Sequence, residues 1–335
     1  MTHMFIDGLG VINEAAYAAS DLSALAGGRE FTPAGFMQEF ESAVPSSKLR
    51  RCSRYIKMAV TAADNALKNG SAYDSLDPCR IGAVISSGYG ASEYSVRFAD
   101  SVVKHAPQSC SPSVFSQTVP NSCLGQICII NGFKGAGTFL CGGDPLEYAA
   151  LLLRLGKADM MLCGQVEEWS AELFSSIKSR QACAGSTLTE GAGFLTLRTE
   201  LTDSSCCEVI GHSSVNIGAC PLIERSEGIS KDLSAVLDDL SSDRPDIVFT
   251  AENGTWFDKA ECRSVKAVFG EIPTASPKKL FGEALGSSYL LSVSLAAAAL
   301  KRGAFRDKKC RIAVVTGFDM AGNYSAVKLS AIDRS

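Results

Sequence analysis

A chain of 335 residues, 46% hydrophobic and 20% charged, is long enough to bury a large core, either as one large domain or as two fused halves. Its formal net charge of −4 excludes the strongly basic balance that nucleic-acid binding uses. The short clusters Lys48-Leu49-Arg50-Arg51 and Arg306-Asp307-Lys308-Lys309 read as solvated surface.

No apolar run approaches the length of a membrane span, and the start Met1-Thr2-His3-Met4-Phe5-Ile6-Asp7 lacks the basic-then-apolar order of a signal peptide. A cytoplasmic protein with no membrane partner is expected. Thirteen cysteines are scattered through apolar stretches (Cys128, Cys163, Cys207) and read as reduced, buried small hydrophobes. With no CxxC pair and only three histidines, His3, His105 and His212, neither a metal site nor a cofactor is expected.

Residues 3–12 alternate and end in Gly8-Leu9-Gly10, which predicts a first strand and a turn. After a polar loop, Tyr55, Ile56, Ala59, Val60, Ala63 and Leu67 recur near helical period, predicting an amphipathic helix over 51–69 that stops at Asn69-Gly70. A short strand over 81–86 runs into Ser87-Gly88-Tyr89-Gly90, and a helical pattern resumes over 93–103. The segment 119–135 opens on a Pro120-Asn121 cap and reads as a small-residue-rich helix, able to pack closely on a neighbour or on another chain.

The stretch 135–147 then delivers an extended segment onto a helix start. Asp144 is a good N-cap, Pro145 suits the first helical position because its missing N–H costs nothing there, and Glu147 completes a capping-box-like start. Ala149-Ala150-Leu151-Leu152-Leu153 follows, so the helix over 145–156 is expected to be buried on most sides. A buried helix whose N-terminus meets a glycine turn is a natural place for a nucleophile or an oxyanion hole.

Residues 158–163 read as a buried strand, and after a less regular region 191–199 and 206–215 read as a strand pair. Beyond a seam at Asp203-Ser204-Ser205 come a helix (230–240), a strand (246–250), two helices (259–269 and 285–301) and two strands (311–316 and 323–329). Strands alternating with helices predict an α/β protein with mostly parallel pairing. Each half ends in a buried helix followed by strands, which points to a duplicated unit with halves 1–203 and 204–335.

Several segments share one order. They are Cys79-Arg80-Ile81-Gly82 with Ser87-Gly88-Tyr89-Gly90, Asn121-Ser122-Cys123-Leu124-Gly125-Gln126-Ile127, Gly132-Phe133-Lys134-Gly135, Gly156-Lys157-Ala158-Asp159 and Glu190-Gly191-Ala192-Gly193-Phe194-Leu195. In the second half, Asn253-Gly254-Thr255 with Asp258-Lys259-Ala260-Glu261 is similar to an HGT…DxxE segment, and Pro277-Lys278 to Glu283 to a lysine followed by Gly-His. Together they resemble the β-ketoacyl-acyl-carrier-protein synthases of the thiolase fold over nearly the whole chain. The resemblance implies two similar halves in a layered αβαβα architecture, shortened by loops lost between Glu168 and Glu190 and elsewhere.

Condensation in that family needs a cysteine thiolate at a helix N-terminus and two histidines. Here the histidine positions hold Asn253 and Glu283, while Lys278 matches the family lysine. Counting forward from Gly135 puts Asp144 at the nucleophile position; counting back from Gly156 puts Phe139 there. Cys141 lies between the two and reads as a packing residue. A condensing-enzyme fold without its histidines resembles the chain-length factor of type II polyketide synthases, including those making aryl polyenes.

That resemblance implies no catalysis by this chain alone. It implies a heterodimer with an active ketosynthase and, through the complex, an acyl carrier protein. It places residues 119–141, with Asn121 and Gln126, at the interface, and Phe115, Phe133 and Phe139 as candidates for the tunnel. Two readings compete: an independent enzyme with Cys141 as acyl acceptor and Asn253 as oxyanion donor, and a scaffolding partner with no tunnel.

Overall fold

In chain order the first half comprises β1 (Phe5–Ile12), α1 (Ala19–Ala26), α2 (Arg54–Asn69), β2 (Ile81–Ser87), α3 (Ser92–His105), α4 (Pro112–Thr118), α5 (Ser122–Asn131), β3 (Gly137–Cys141), α6 (Pro145–Arg154), β4 (Met160–Glu167), α7 (Ala171–Lys178) and β5 (Gly191–Arg198). The second comprises β6 (Cys207–Asn216), α8 (Ser230–Asp238), β7 (Ile247–Phe249), α9 (Phe257–Phe269), β8 (Thr274–Ala275), α10 (Lys278–Phe281), α11 (Ser288–Arg302), the hairpin β9 (Ala304–Phe305) with β10 (Lys308–Lys309), β11 (Ile312–Phe318) and β12 (Asn323–Ser330). This computed structural model describes residues 3–35, 49–105, 110–180, 187–226 and 228–333. Lys48 and the His105 side chain lie outside the described set.

One ten-stranded sheet runs β3-β2-β4-β5-β1-β6-β12-β11-β7-β8. Numbered from one within each half, the strand order is 3-2-4-5-1 twice, because β6, β7, β8, β11 and β12 take the places of β1 to β5. The two half-sheets meet where Phe5 and Ile6 pair with Glu208 and Cys207.

Alternate residues of each strand serve two different cores, as the period-2 pleat requires. Val84, Cys163, Leu195, Val315 and Val327 face a central core shared with α1, α6 and α11. Ile85, Leu162 and Phe194 pack instead under α2 and α5, and Val314 and Ala326 under α8 and α9. The result is the layered αβαβα arrangement.

Helix α11 is the middle of that sandwich, buried from Ser288 to Leu300. It touches both half-sheets through glycines: a Cβ on Gly193 of β5 would sit 2.9 Å from Leu291 N, and one on Gly317 of β11 2.7 Å from Tyr289 Cβ. Its buried Ser292 and Ser294 donate to the carbonyls of Ser288 and Leu290 at 2.8 and 2.7 Å, so these hydroxyls are paired within the core.

Five expectations change. The sheet is mixed: β1–β5, β1–β6, β4–β5, β6–β12 and β11–β12 are antiparallel, whereas β2 and β7 pair in parallel with their neighbours. Hydrophobic periodicity reports which faces are buried and carries no information on strand direction. β5 and β6 do not pair with each other, because β1 lies between them. β1 continues through Gly8-Leu9-Gly10 with no turn, its register with β5 shifting once between Ile6 and Gly8; a Cβ on Gly10 would collide with the Ala62 carbonyl, so the glycine lets α2 lie close on the strand.

The fourth change is in the loops, where α1, α4 and α7 occupy stretches with weak apolar period. The fifth concerns α6, which is buried on one face only: Tyr148, Leu151 and Leu155 are 37%, 42% and 60% exposed. Among the described residues, no helix is long and apolar enough to cross a membrane.

Candidate functional site

The end of β3 passes through Gly142 and Gly143, at φ of 79° and 88°, into α6. Both angles are ones that glycine adopts without a Cβ penalty, so the pair makes the tight turn that aims backbone N–H groups at the helix start. Those donors are already taken. The Gly143 N–H donates to Oδ2 of Asp319, a residue of the β11–β12 turn. Asp319 is itself fastened there, accepting from Ala321 N at 2.8 Å, Asn323 N at 3.0 Å and Asn323 Nδ2 at 2.8 Å. Asp144 is the N-cap, its Oδ1 accepting from Leu146 N at 2.8 Å and Glu147 N at 3.3 Å.

The other Asp144 oxygen lies 2.7 Å from Nε2 of His212 on β6. Burial opposes ionisation of Asp144, but the histidine and the two backbone donors outweigh it and hold the carboxyl below its ordinary range. Burial likewise works against the His212 cation, and Asp144 with Glu147 reverses it, raising the imidazole above its ordinary value. Tyr289 stands beside this pair with its phenol pushed well up, first by burial and then by Asp144. Cys163, a thiol that feels the same carboxylate, is also pushed well up by burial and by Asp144, the reverse of what a nucleophile needs.

Two carboxylates thus occupy the positive end of α6. The space left between Gly143, Asp144, Gln165, Tyr289, Phe318 and Asn323 is about 10 Å³, enough for one water at most.

Phe318 connects this turn to the second cluster. The Lys278 ammonium lies 3.8 Å from the centre of its ring and forms a buried ion pair with Glu283 at 2.6 Å. Glu283 also accepts from Leu285 N at 3.0 Å and Ser288 Oγ at 2.8 Å, so its carboxylate is fully engaged at the start of α11. Asn253 precedes α9 and accepts from Thr255 N at 3.2 Å and Thr255 Oγ1 at 2.6 Å, as a turn-forming residue does. Deeper in α9, burial pushes Glu261 up to about 7 despite donors from Thr316, Ala251 and Tyr324. Among the described residues, no group of three or more His, Cys, Asp or Glu side chains is arranged to hold a metal ion.

The structure separates the candidates at the turn. Asp144 is at the helix start, whereas Phe139 is half-buried within β3, and Cys141 ends that edge strand, exposed and three residues short of the cap. Asn121 holds the N-cap position of α5 but makes no side-chain cap bond, which corrects the expected Pro-Asn cap. Gln126 is half-buried on α5. Phe133 is buried against Tyr73, their rings 5.7 Å apart, and Phe115 is exposed on α4 beside Phe98. Asp319 and Tyr289 carry no signal in the sequence, and His212 is noted there only as one of three histidines; none stands in a motif, and only the fold carries them to the α6 start.

The family model for the β-ketoacyl synthase N-terminal domain matches residues 12–202, more than half of the chain. The chain is 25% identical over 309 residues to 3-oxoacyl-[acyl-carrier-protein] synthase 2 of Staphylococcus aureus, covering 80% of this chain and 76% of that protein. Among solved structures it is similar to the ishigamide ketosynthase/chain length factor, with a TM-score of 0.82, 19% identity and coverage of 99% of this chain and 100% of that one. It is also similar to one chain of the structure of a type II polyketide synthase acyl-carrier protein in complex with its ketosynthase bound to the hexaketide, with a TM-score of 0.81, 17% identity and coverage of 99% of this chain and 100% of that one. By its fold and by the span of the family model, the chain belongs to the β-ketoacyl synthase family.

Proposed function

We propose that the chain is a chain-length-factor-like subunit, a ketosynthase homologue without condensing chemistry that pairs with an active ketosynthase and shapes the acyl tunnel of the complex. The observation that carries this reading is the filled α6 start: Asp144 and Asp319 consume the backbone donors that would hold an oxyanion, beside a space too small for an acyl group. Asn253 and Glu283 stand where the family uses histidines, and neither supplies a positive charge. The partner ketosynthase provides the cysteine and histidines and receives the acyl carrier protein. We place the complex in the cytoplasm and the boundary between halves at 203/204.

Pairing is supported by the surface around β3. This is the outermost strand of the sheet, with an edge open to another chain among the described residues. Exposed apolar side chains lie on the helices either side of it in sequence: Ile129 at 78% on α5, Leu151 and Leu155 at α6. One of the similar structures is the ishigamide ketosynthase/chain length factor.

Co-expression with a ketosynthase encoded nearby is expected to give a stable one-to-one complex, while the chain alone aggregates or forms an aberrant homodimer. A soluble, monodisperse monomer would overturn the proposal. The competing reading, an acyltransferase using Cys141, is favoured only by the exposure of that thiol. Intact mass after incubation with an acyl thioester decides it: an adduct on Cys141 supports that reading, and its absence supports ours.

A further inference from the structure

Beside α10, residues 273–277 leading into it, Leu295 in the middle of α11 and the β9–β10 hairpin border an open cavity of about 400 Å³. That volume is within the range of small-molecule sites. Its floor is apolar: Ile247, Leu295 and Phe305 are buried, and Leu280 is half-buried. Its rim carries three cations, Lys279, Arg306 and Lys308, against one carboxylate, Asp307.

Lys279 is already paired with Glu252 at 3.3 Å. Arg306 and Lys308 have no carboxylate partner among the described residues. Arg306 is also held in place at the mouth. Its N–H donates to the Ala26 carbonyl, and its guanidinium carbon lies 5.7 Å from the centre of the Phe305 ring. The cluster Arg306-Asp307-Lys308-Lys309 reads from sequence as solvated surface; the hairpin instead sets two of its cations at the rim of an apolar hollow.

We propose that this cavity binds a small amphipathic carboxylate, a medium-chain acyl or arylalkyl acid. The hydrocarbon lies on Leu280 and the accessible edge of Phe305, and the carboxylate between Arg306 and Lys308, where the guanidinium fork suits a planar anion. A cavity of this volume has room for a chain of medium length, such as that of decanoate. The site is separate from the α6 start, and the proposal does not rest on the function proposed above.

The test is calorimetric titration of the full chain, or of its complex, with decanoate below its micelle concentration, and with decyl phosphate, decanol and acetate as comparison arms. Decanoate is expected to bind one-to-one, with decanol and acetate each at least tenfold weaker. The double variant Arg306→Gln/Lys308→Gln is expected to weaken decanoate at least tenfold while leaving decanol unchanged. Thr274→Trp, an exposed rim position, is expected to abolish both with no change in melting temperature. Equal binding of decanoate and decanol, unchanged affinity in the double variant, or preference for decyl phosphate overturns the assignment.

Discussion

His212 Nε2 of the second half lies 2.7 Å from Asp144 Oδ2 of the first, with the two side chains only 11% and 2% exposed. Glu147 stands 3.8 Å from the other ring nitrogen, and Arg154 opposes the cation from further along α6. Breaking a buried pair of this kind by removing one partner costs about 3 kcal/mol.

The sign of the pH dependence follows from the two shifts. His212 is raised when folded, so its share of the stability is complete below its ordinary value of 6.5 and is lost as pH rises through the folded value. Asp144 is lowered, so its share is present above its ordinary 3.8 and is lost as pH falls through the folded value. The pair therefore contributes most between those two ordinary values. Urea midpoints of the wild type and His212→Gln are expected to differ most near pH ~5 and to converge as pH rises into the alkaline range. A difference independent of pH would show that the ring acts by packing alone.

Lys278 and Glu283 form the second buried pair, at 2.6 Å. Lys278→Met leaves the carboxylate with only Leu285 N and Ser288 Oγ, and a loss of about 3 kcal/mol is expected. The double variant Lys278→Met/Glu283→Gln removes both charges and is expected to cost less than the sum of the single changes, with a coupling of about 1–3 kcal/mol in a double-mutant cycle. If the pair is purely architectural, product formation by the co-purified complex stays within twofold of the wild type. A collapse of activity in a folded variant would return Lys278 to a chemical role.

The exposed face of α6 gives a direct test of pairing. Leu151→Glu puts a charge on a residue already 42% exposed, so the stability of the chain alone is expected to change by no more than about 0.5 kcal/mol. Recovery of the ketosynthase complex by size exclusion is expected to fall at least tenfold. Full recovery would mean that this face does not meet the partner.

Phe115 is 54% exposed on α4, its ring 5.3 Å from that of Phe98. Truncation there removes little from the core, so Phe115→Ala is expected to leave the melting temperature unchanged. In the complex it is expected to lengthen the products if Phe115 closes the tunnel, as read by mass spectrometry of the acyl species. An unchanged length distribution from this variant and from Phe139→Ala would favour a partner that only scaffolds.

Much of this was legible in the residues themselves, because it depends on short-range chemistry. The apolar period of Tyr55, Ile56, Ala59 and Val60 marks α2, and Asp144-Pro145 marks the start of α6, since a cap and the bonds it satisfies lie within one turn. The motif order, and the absence of histidine from positions 253 and 283, were equally readable. Tertiary structure alone decided the rest. Gly143 and Asp319 are 176 residues apart, and Asp144 and His212 are 68 apart, so no local pattern records that they meet. Periodicity likewise could not place β1 between β5 and β6, or show that the apolar face of α6 turns partly outward, because it reports that a side chain avoids water without saying which surface covers it.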